Sequence, residues 1–198
     1  MILCSGCSFT EQYHSDYPLW PYLLGYDIIN IAKSGYNNID ISNSIDNYFN
    51  NKNAQSSQIQ LCIVMWTQWN RENGKTTTQL NDYKLYEKQL KAVDNTNKLL
   101  SKRSIPILSF QMLRPLPTIK NNKNTIIDLV QRNRSNLFIG YPGLEELGGF
   151  NLYDKLQLDD YLRADKHPNK EGNELIADTV YKYIKYGNTC LPSTEIKS

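Results

Sequence analysis

A chain of 198 residues, 40% hydrophobic and 21% charged, is long enough to bury one core without disulfide or metal staples. Its formal charge of +2 is too small to argue for a nucleic-acid groove or a membrane surface, and the cluster at Lys120 and Lys123 reads as a solvated loop. No apolar run approaches the roughly 20 residues of a membrane helix, and Met1-Ile2-Leu3-Cys4 lacks a secretory leader's basic start, so a cytoplasmic location is expected. Residues 1–187 read as a single domain and 188–198 as a C-terminal tail.

Strand-like and helix-like segments alternate along the chain. Ile2–Ser5 is a short apolar strand that ends at Gly6, and Asp27–Ala32 is a second. Asn38–Phe49 is a weaker helix, loaded with Asn and Ser. Gln60–Trp66 is a third strand, aliphatic and bounded by polar tracts. Tyr83, Tyr86, Leu90, Val93 and Leu100 recur at helical spacing. Ile105–Phe110 is a fourth strand with Pro106 near its start, where a missing donor does least harm, and Leu137–Ile139 is a fifth. Leu175, Ile176, Val180 and Ile184 mark a last helix, with Pro168 suited to its first turn.

This alternation predicts a three-layer α/β/α sandwich around a mostly parallel, flavodoxin-like sheet of about five strands. In such sheets ligands bind beyond the carboxyl ends of the strands. Ser8 follows the first strand, Gly35 the second, and Thr67 to Asn70 the third, while His167 precedes the last helix. Four segments are therefore expected to converge on one edge. A flavodoxin-like nucleotide binder is a third option; against it, the chain has neither a Gly-x-x-x-x-Gly-Lys loop nor a Gly-x-Gly-x-x-Gly run.

Four cysteines need a separate test. Cys4 and Cys7 form a C-x-x-C, but only three residues precede Cys4, and Cys62 and Cys190 are isolated, so neither a redox turn nor a zinc site is predicted. Cys4 and Cys62 read instead as small buried hydrophobes on neighbouring strands. Nothing in the sequence requires a cofactor.

Three blocks, in order, resemble the SGNH or GDSL-type hydrolases. Gly6-Cys7-Ser8-Phe9-Thr10 resembles the first block, with Cys7 where the family usually has Asp. Asn30-Ile31-Ala32-Lys33-Ser34-Gly35 resembles the second, and Asp165-Lys166-His167-Pro168 the last. The resemblance implies Ser8 as nucleophile, His167 as base, Asp165 as orienting acid, and the amides of Ser8 and Gly35 as oxyanion donors. The third block departs from the family's Gly-x-Asn-Asp: here the segment reads Trp66-Thr67-Gln68-Trp69-Asn70-Arg71. Gln68 matches the missing donor by count, Asn70 by chemistry, and Thr67 offers a hydroxyl. The family's last block more often reads Asp-x-x-His, which leaves Asp159 or Asp160 as alternatives to Asp165.

Each residue also has a plain structural reading. Ser8 can cap a helix through Thr10 and Glu11, Gly35 can be a turn residue, Asp165 a loop charge, and His14 an exposed side chain. Trp66 can complete the core and Tyr36 can pack on the sheet. Tyr36 and Trp69 otherwise suit a sugar ring, and Arg71 either an anionic substrate or a surface ion pair. The loops 114–124 and 141–151 either shape access or only connect. Taken together, the residues predict a serine esterase acting on a small-molecule or glycan ester, either an acylated carbohydrate or a lipid-like ester. A catalytically silent binding protein on the same fold is the alternative.

Overall fold

The runs at 2–5, 61–66 and 107–110 carry buried side chains at both odd and even positions, as strands covered on both faces require. The computed structural model describes residues 1–11, 16–51, 55–67, 71–72, 75–76, 83–111, 137–139 and 167–186. In chain order the elements are β1 (Ile2–Ser5), α1 (Trp20–Leu23), β2 (Ile28–Asn30), α2 (Asn38–Asn50), β3 (Leu61–Trp66), β4 (Arg71–Glu72), β5 (Lys75–Thr76), α3 (Tyr83–Lys102), β6 (Ile107–Gln111), β7 (Leu137–Ile139) and α4 (Lys170–Tyr186).

Five strands form one sheet in the order β2-β1-β3-β6-β7, every pairing parallel. The register sets Cys4 beside Ile63 and Ile63 beside Leu108, so one face presents Ile2, Cys4, Ile63, Met65, Leu108 and Phe110. Trp20 and Leu24 at α1, with Ile176, Ala177, Val180 and Tyr183 of α4, cover that face. Leu3, Cys62, Val64, Trp66 and Ile107 form the opposite face, covered by Ile41, Ile45 and Phe49 of α2 and Val93 and Leu100 of α3. The architecture is the expected α/β/α sandwich.

Differences from the sequence reading have local causes. The second strand stops at Asn30 because its side chain turns the chain away, accepting from Ala32 N at 3.1 Å and donating to Thr10 O at 2.6 Å. Pro106 lies before β6, not within it, and its carbonyl accepts from Cys62 N at 2.9 Å. Pro168 is not in the first turn of α4: Asn169 stands at the cap, its Oδ1 accepting from Gly172 N at 2.8 Å. The helix judged weak from its Asn and Ser content has a complete capping box. Asn37 accepts from Ile39 N and Asp40 N, and Asp40 accepts from Asn37 N. Three elements escaped notice: α1, four residues long, a single 3-10 turn at Ser56–Gln58, and the β4-β5 hairpin of two-residue strands. None is long enough to show a period.

Candidate active site

A glycine opens the turn after β1 for a steric reason. A Cβ on Gly6 would lie 2.5 Å from Thr10 Oγ1 and 3.1 Å from the Met65 carbonyl oxygen, so no larger residue fits without a shift. The chain then turns tightly, with Thr10 N and Glu11 N both donating to the Cys7 carbonyl, at 2.9 and 3.1 Å. These are the amides that a capping Ser8 would have taken. The cap reading therefore fails, and residues 8–10 form a turn, not a helix.

Ser8 Oγ instead meets His167 Nε2 at 2.9 Å. Ser8 is 8% exposed, and the Phe9 ring lies against the imidazole with centroids 4.9 Å apart at 32°. The backbone just after the imidazole is held by two side-chain donors. Tyr17 Oη donates to the Pro168 carbonyl at 3.1 Å, and Asn173 Nδ2 donates to the same oxygen at 3.3 Å. Parallel strands bring all this to one edge, because the carboxyl ends of β1, β2 and β3 lie side by side.

The loop after β2 is fastened to the serine turn. Lys33 N donates to Gly6 O at 3.2 Å, and Ser34 N donates to the Glu11 carboxylate. Gly35 follows with φ +85°, the left-handed region that favours glycine, so its turn role is real. Tyr36 is half-buried and packs with the α2–α3 side of the core.

Beyond β3, Thr67 has no exposed surface. Its amide donates to Asn38 Oδ1 at 2.8 Å, and its carbonyl accepts from Asn38 Nδ2 at 3.1 Å. Asn38 N in turn donates to Gln89 Oε1 at 2.9 Å, and Gln89 Nε2 donates to the Arg71 carbonyl at 3.1 Å. Asn38 and Gln89 thus pin the third loop, and sequence reasoning missed both, because a polar residue inside a helix ordinarily signals solvent. Trp66 belongs to the core, its Nε1 donating to Ser109 Oγ at 3.1 Å. Arg71 is half-buried; its Nη1 makes a long 3.5 Å contact to Thr67 Oγ1, and its Nε is shielded without a partner among the described residues. No ion pair involves Arg71 among the described residues, and the side chains around Glu72, where a surface pair was expected, lie outside them.

Asp165, Asp159, Asp160, Gln68, Trp69, Asn70, His14 and Cys190 lie outside the described residues, as do the loops 114–124 and 141–151 and the tail 188–198. Cys4, Cys7 and Cys62 are free, buried thiols. Burial raises the pKa of Cys4 and raises that of Cys62 well above a thiol's ordinary value, the nearby Cys4 adding to the second shift. Cys4 and Cys62 sit on adjacent strands as expected, but on opposite faces of the sheet. Among the described residues no group of acidic, His or Cys side chains could hold a metal, and no helix is long and apolar enough to cross a membrane.

No protein-family model matches the chain, and a comparison with curated proteins gives no match. Solved structures do match over nearly its whole length. The esterase EstA from Pseudoalteromonas sp., solved with monoethylphosphonate as inhibitor, superposes with TM-score 0.64 at 16% identity, covering 93% of this chain and 96% of that one. An acetyl xylan esterase, AlAXEase, gives TM-score 0.60 at 15% identity, with coverages of 93% and 100%. A member of the lipolytic G-D-S-L family from Veillonella parvula gives 0.56 at 17%, with coverages of 93% and 96%. The chain has the SGNH-hydrolase fold. At such low identity the likeness is one of backbone, and the SGNH fold by itself does not assign chemistry. The chemistry has to be argued from the serine, the imidazole and their surroundings.

Proposed function

We propose that this protein is a serine hydrolase that cleaves acyl esters. The 2.9 Å contact between Ser8 Oγ and His167 Nε2 carries the reading. An unassisted hydroxyl is a weak nucleophile, and an imidazole nitrogen within hydrogen-bond reach is the base it needs. In the proposed reaction Ser8 Oγ attacks the ester carbonyl carbon while Nε2 takes the hydroxyl proton. The carbonyl π electrons move onto oxygen, and the tetrahedral oxyanion is met by the amides of Ser8 and Gly35, with Gln68 or Asn70 as third donor. Collapse re-forms the carbonyl and breaks the bond to the alcohol, which leaves with the proton from the imidazolium. Water then enters by the same route, releasing the acid and restoring Ser8. Asp165 is assigned to the other ring nitrogen, fixing the tautomer and stabilising the imidazolium.

The proposed substrates are O-acylated carbohydrates or small lipid-like esters. Tyr36 and Trp69 would stack on a sugar ring, Thr67 would hold the third loop's backbone against it, and Arg71 would receive an anionic substituent. No cofactor enters this scheme.

The test compares wild type with Ser8→Ala on a short-chain nitrophenyl ester and on acetylated xylo-oligosaccharides. The proposal expects turnover by wild type and none by the variant. The replaced third block, Trp66 to Arg71, favours a second reading, a binding protein with a silent serine. Absence of turnover in both proteins, with the sugar still bound, would select it.

A further inference from the structure

We propose that Asn173 is a positioning residue for the Ser8–His167 pair, acting with Trp20 as a clamp across two distant loops. The inference rests on the hydrolase reading and adds what holds its two reacting groups together. Asn173 is 1% exposed and Trp20 is fully buried. Asn173 Oδ1 accepts from Trp20 N at 3.0 Å, while Nδ2 donates to the carbonyls of Pro168 at 3.3 Å and Asn169 at 2.9 Å. These partners fix the amide's orientation by chemistry, since an N–H demands the oxygen and two carbonyls demand the nitrogen. Trp20 then reaches the other loop: its Nε1 donates to Phe9 O at 3.1 Å.

The clamped atoms sit next to the reacting ones. Phe9 follows Ser8, and Pro168 follows His167. The Phe9 and Pro168 carbonyls lie in the peptide planes one residue beyond those that flank Ser8 and His167, and proline's locked φ leaves only its ψ between the fixed plane and the one that carries His167. Trp20 N is also a first-turn amide of α1 that no helical carbonyl can satisfy, so Asn173 meets a need that exists anyway. One buried side chain therefore answers three backbone groups, and its loss would release both loops together.

Three variants test this. Asn173→Leu keeps the branched four-atom shape and removes every side-chain hydrogen bond; Trp20→Phe keeps an aromatic ring and, of the two Trp20 hydrogen bonds, removes the one to Phe9 O. The double variant reports whether the two act as one device. Each is measured for thermal midpoint, for kcat and KM on a nitrophenyl ester, and for NMR ring-to-ring contacts between Phe9 and His167, whose centroids lie 4.9 Å apart. Folded variants are expected to lose about 10- to 100-fold in kcat, the cost of misplacing a reacting group by about 1 Å, with KM within about twofold. The ring contacts should weaken, and the double variant should be no worse than the worse single one. Folded Asn173→Leu and Trp20→Phe proteins with kcat within about twofold of wild type and intact ring contacts would overturn the clamp. A fall in thermal midpoint alone would assign both residues to stability and overturn it equally. A wild type without turnover would end the hydrolase reading, and the ring contacts would still decide the clamp. Should Asn173→Leu fail to fold, Tyr17→Phe, which removes the second donor to Pro168 O, takes its place.

Discussion

Ser8 Oγ and His167 Nε2 lie 2.9 Å apart although 159 positions separate them in the chain. The parallel sheet closes that distance. It delivers the end of β1 to the edge where α4 begins, and the Phe9 ring then seals one side of the imidazole. A serine that is 8% exposed and already bonded to a ring nitrogen has lost most of its freedom to serve as an ordinary surface hydroxyl.

The turn that carries Ser8 should tolerate nothing larger than glycine at its start. Gly6→Ala would press a methyl into Thr10 Oγ1 and the Met65 carbonyl, and Thr10 itself is held, donating to Met65 Sδ at 3.4 Å. We expect a loss of about 1–3 kcal/mol in urea unfolding, the range for overpacking a tight site. Ester turnover in the folded protein should fall further than that loss explains, because Ser8 moves with the turn.

The third loop should depend on a residue that never faces substrate. Asn38→Leu would leave the buried amide and carbonyl of Thr67 without their partners. An orphaned buried polar group costs about 1–3 kcal/mol, so destabilisation of about 2–3 kcal/mol is expected. Chemical unfolding measures it directly.

Arg71 should set a preference for negatively charged esters. Its Nε is shielded without a partner, and no carboxylate pairs with it among the described residues. Arg71→Met is expected to lower kcat/KM for a hemisuccinate ester by about tenfold, in keeping with one hydrogen bond to a charged group. The same variant should alter kcat/KM for a neutral acetate by less than about twofold. Equal losses on both would assign Arg71 to the fold.

Alkali should weaken the fold in a definable window. Burial holds the pKa of Cys4 above the thiol's ordinary 9.0, and Cys62 likewise. As pH rises past 9.0 the unfolded chain loses these protons while the native chain keeps them. The native state then binds more protons, so stability is fully present below that pH and declines above it. The urea midpoint should hold from pH 7 to 9 and drop towards pH 10.5, and Cys4 and Cys62 should resist thiol reagents until the chain unfolds.

Much of this was legible in the sequence because it rests on period and order. The limits of β1 and β7 could be read directly, and the parallel sheet made the meeting of Ser8 with His167 an expectation. Helix α4 starts two residues later than Pro168 as a first-turn signal predicts, because Asn169 performs the capping. Asn38, Gln89 and Asn173 were illegible for one shared reason. A polar residue in a helix reads as solvated, and only a tertiary partner, such as Trp20 across 153 positions, makes its burial favourable.

The central claim is that Ser8 is a nucleophile activated by His167, and covalent trapping tests it most directly. Wild type, Ser8→Ala and His167→Ala would be treated with a fluorophosphonate and the adduct mapped by peptide mass spectrometry. The account predicts a single phosphonylated residue, Ser8, in the wild type, no adduct in Ser8→Ala, and labelling slowed by at least about 100-fold in His167→Ala. An unlabelled wild type, or labelling of Ser8 at an unchanged rate without the imidazole, would contradict it.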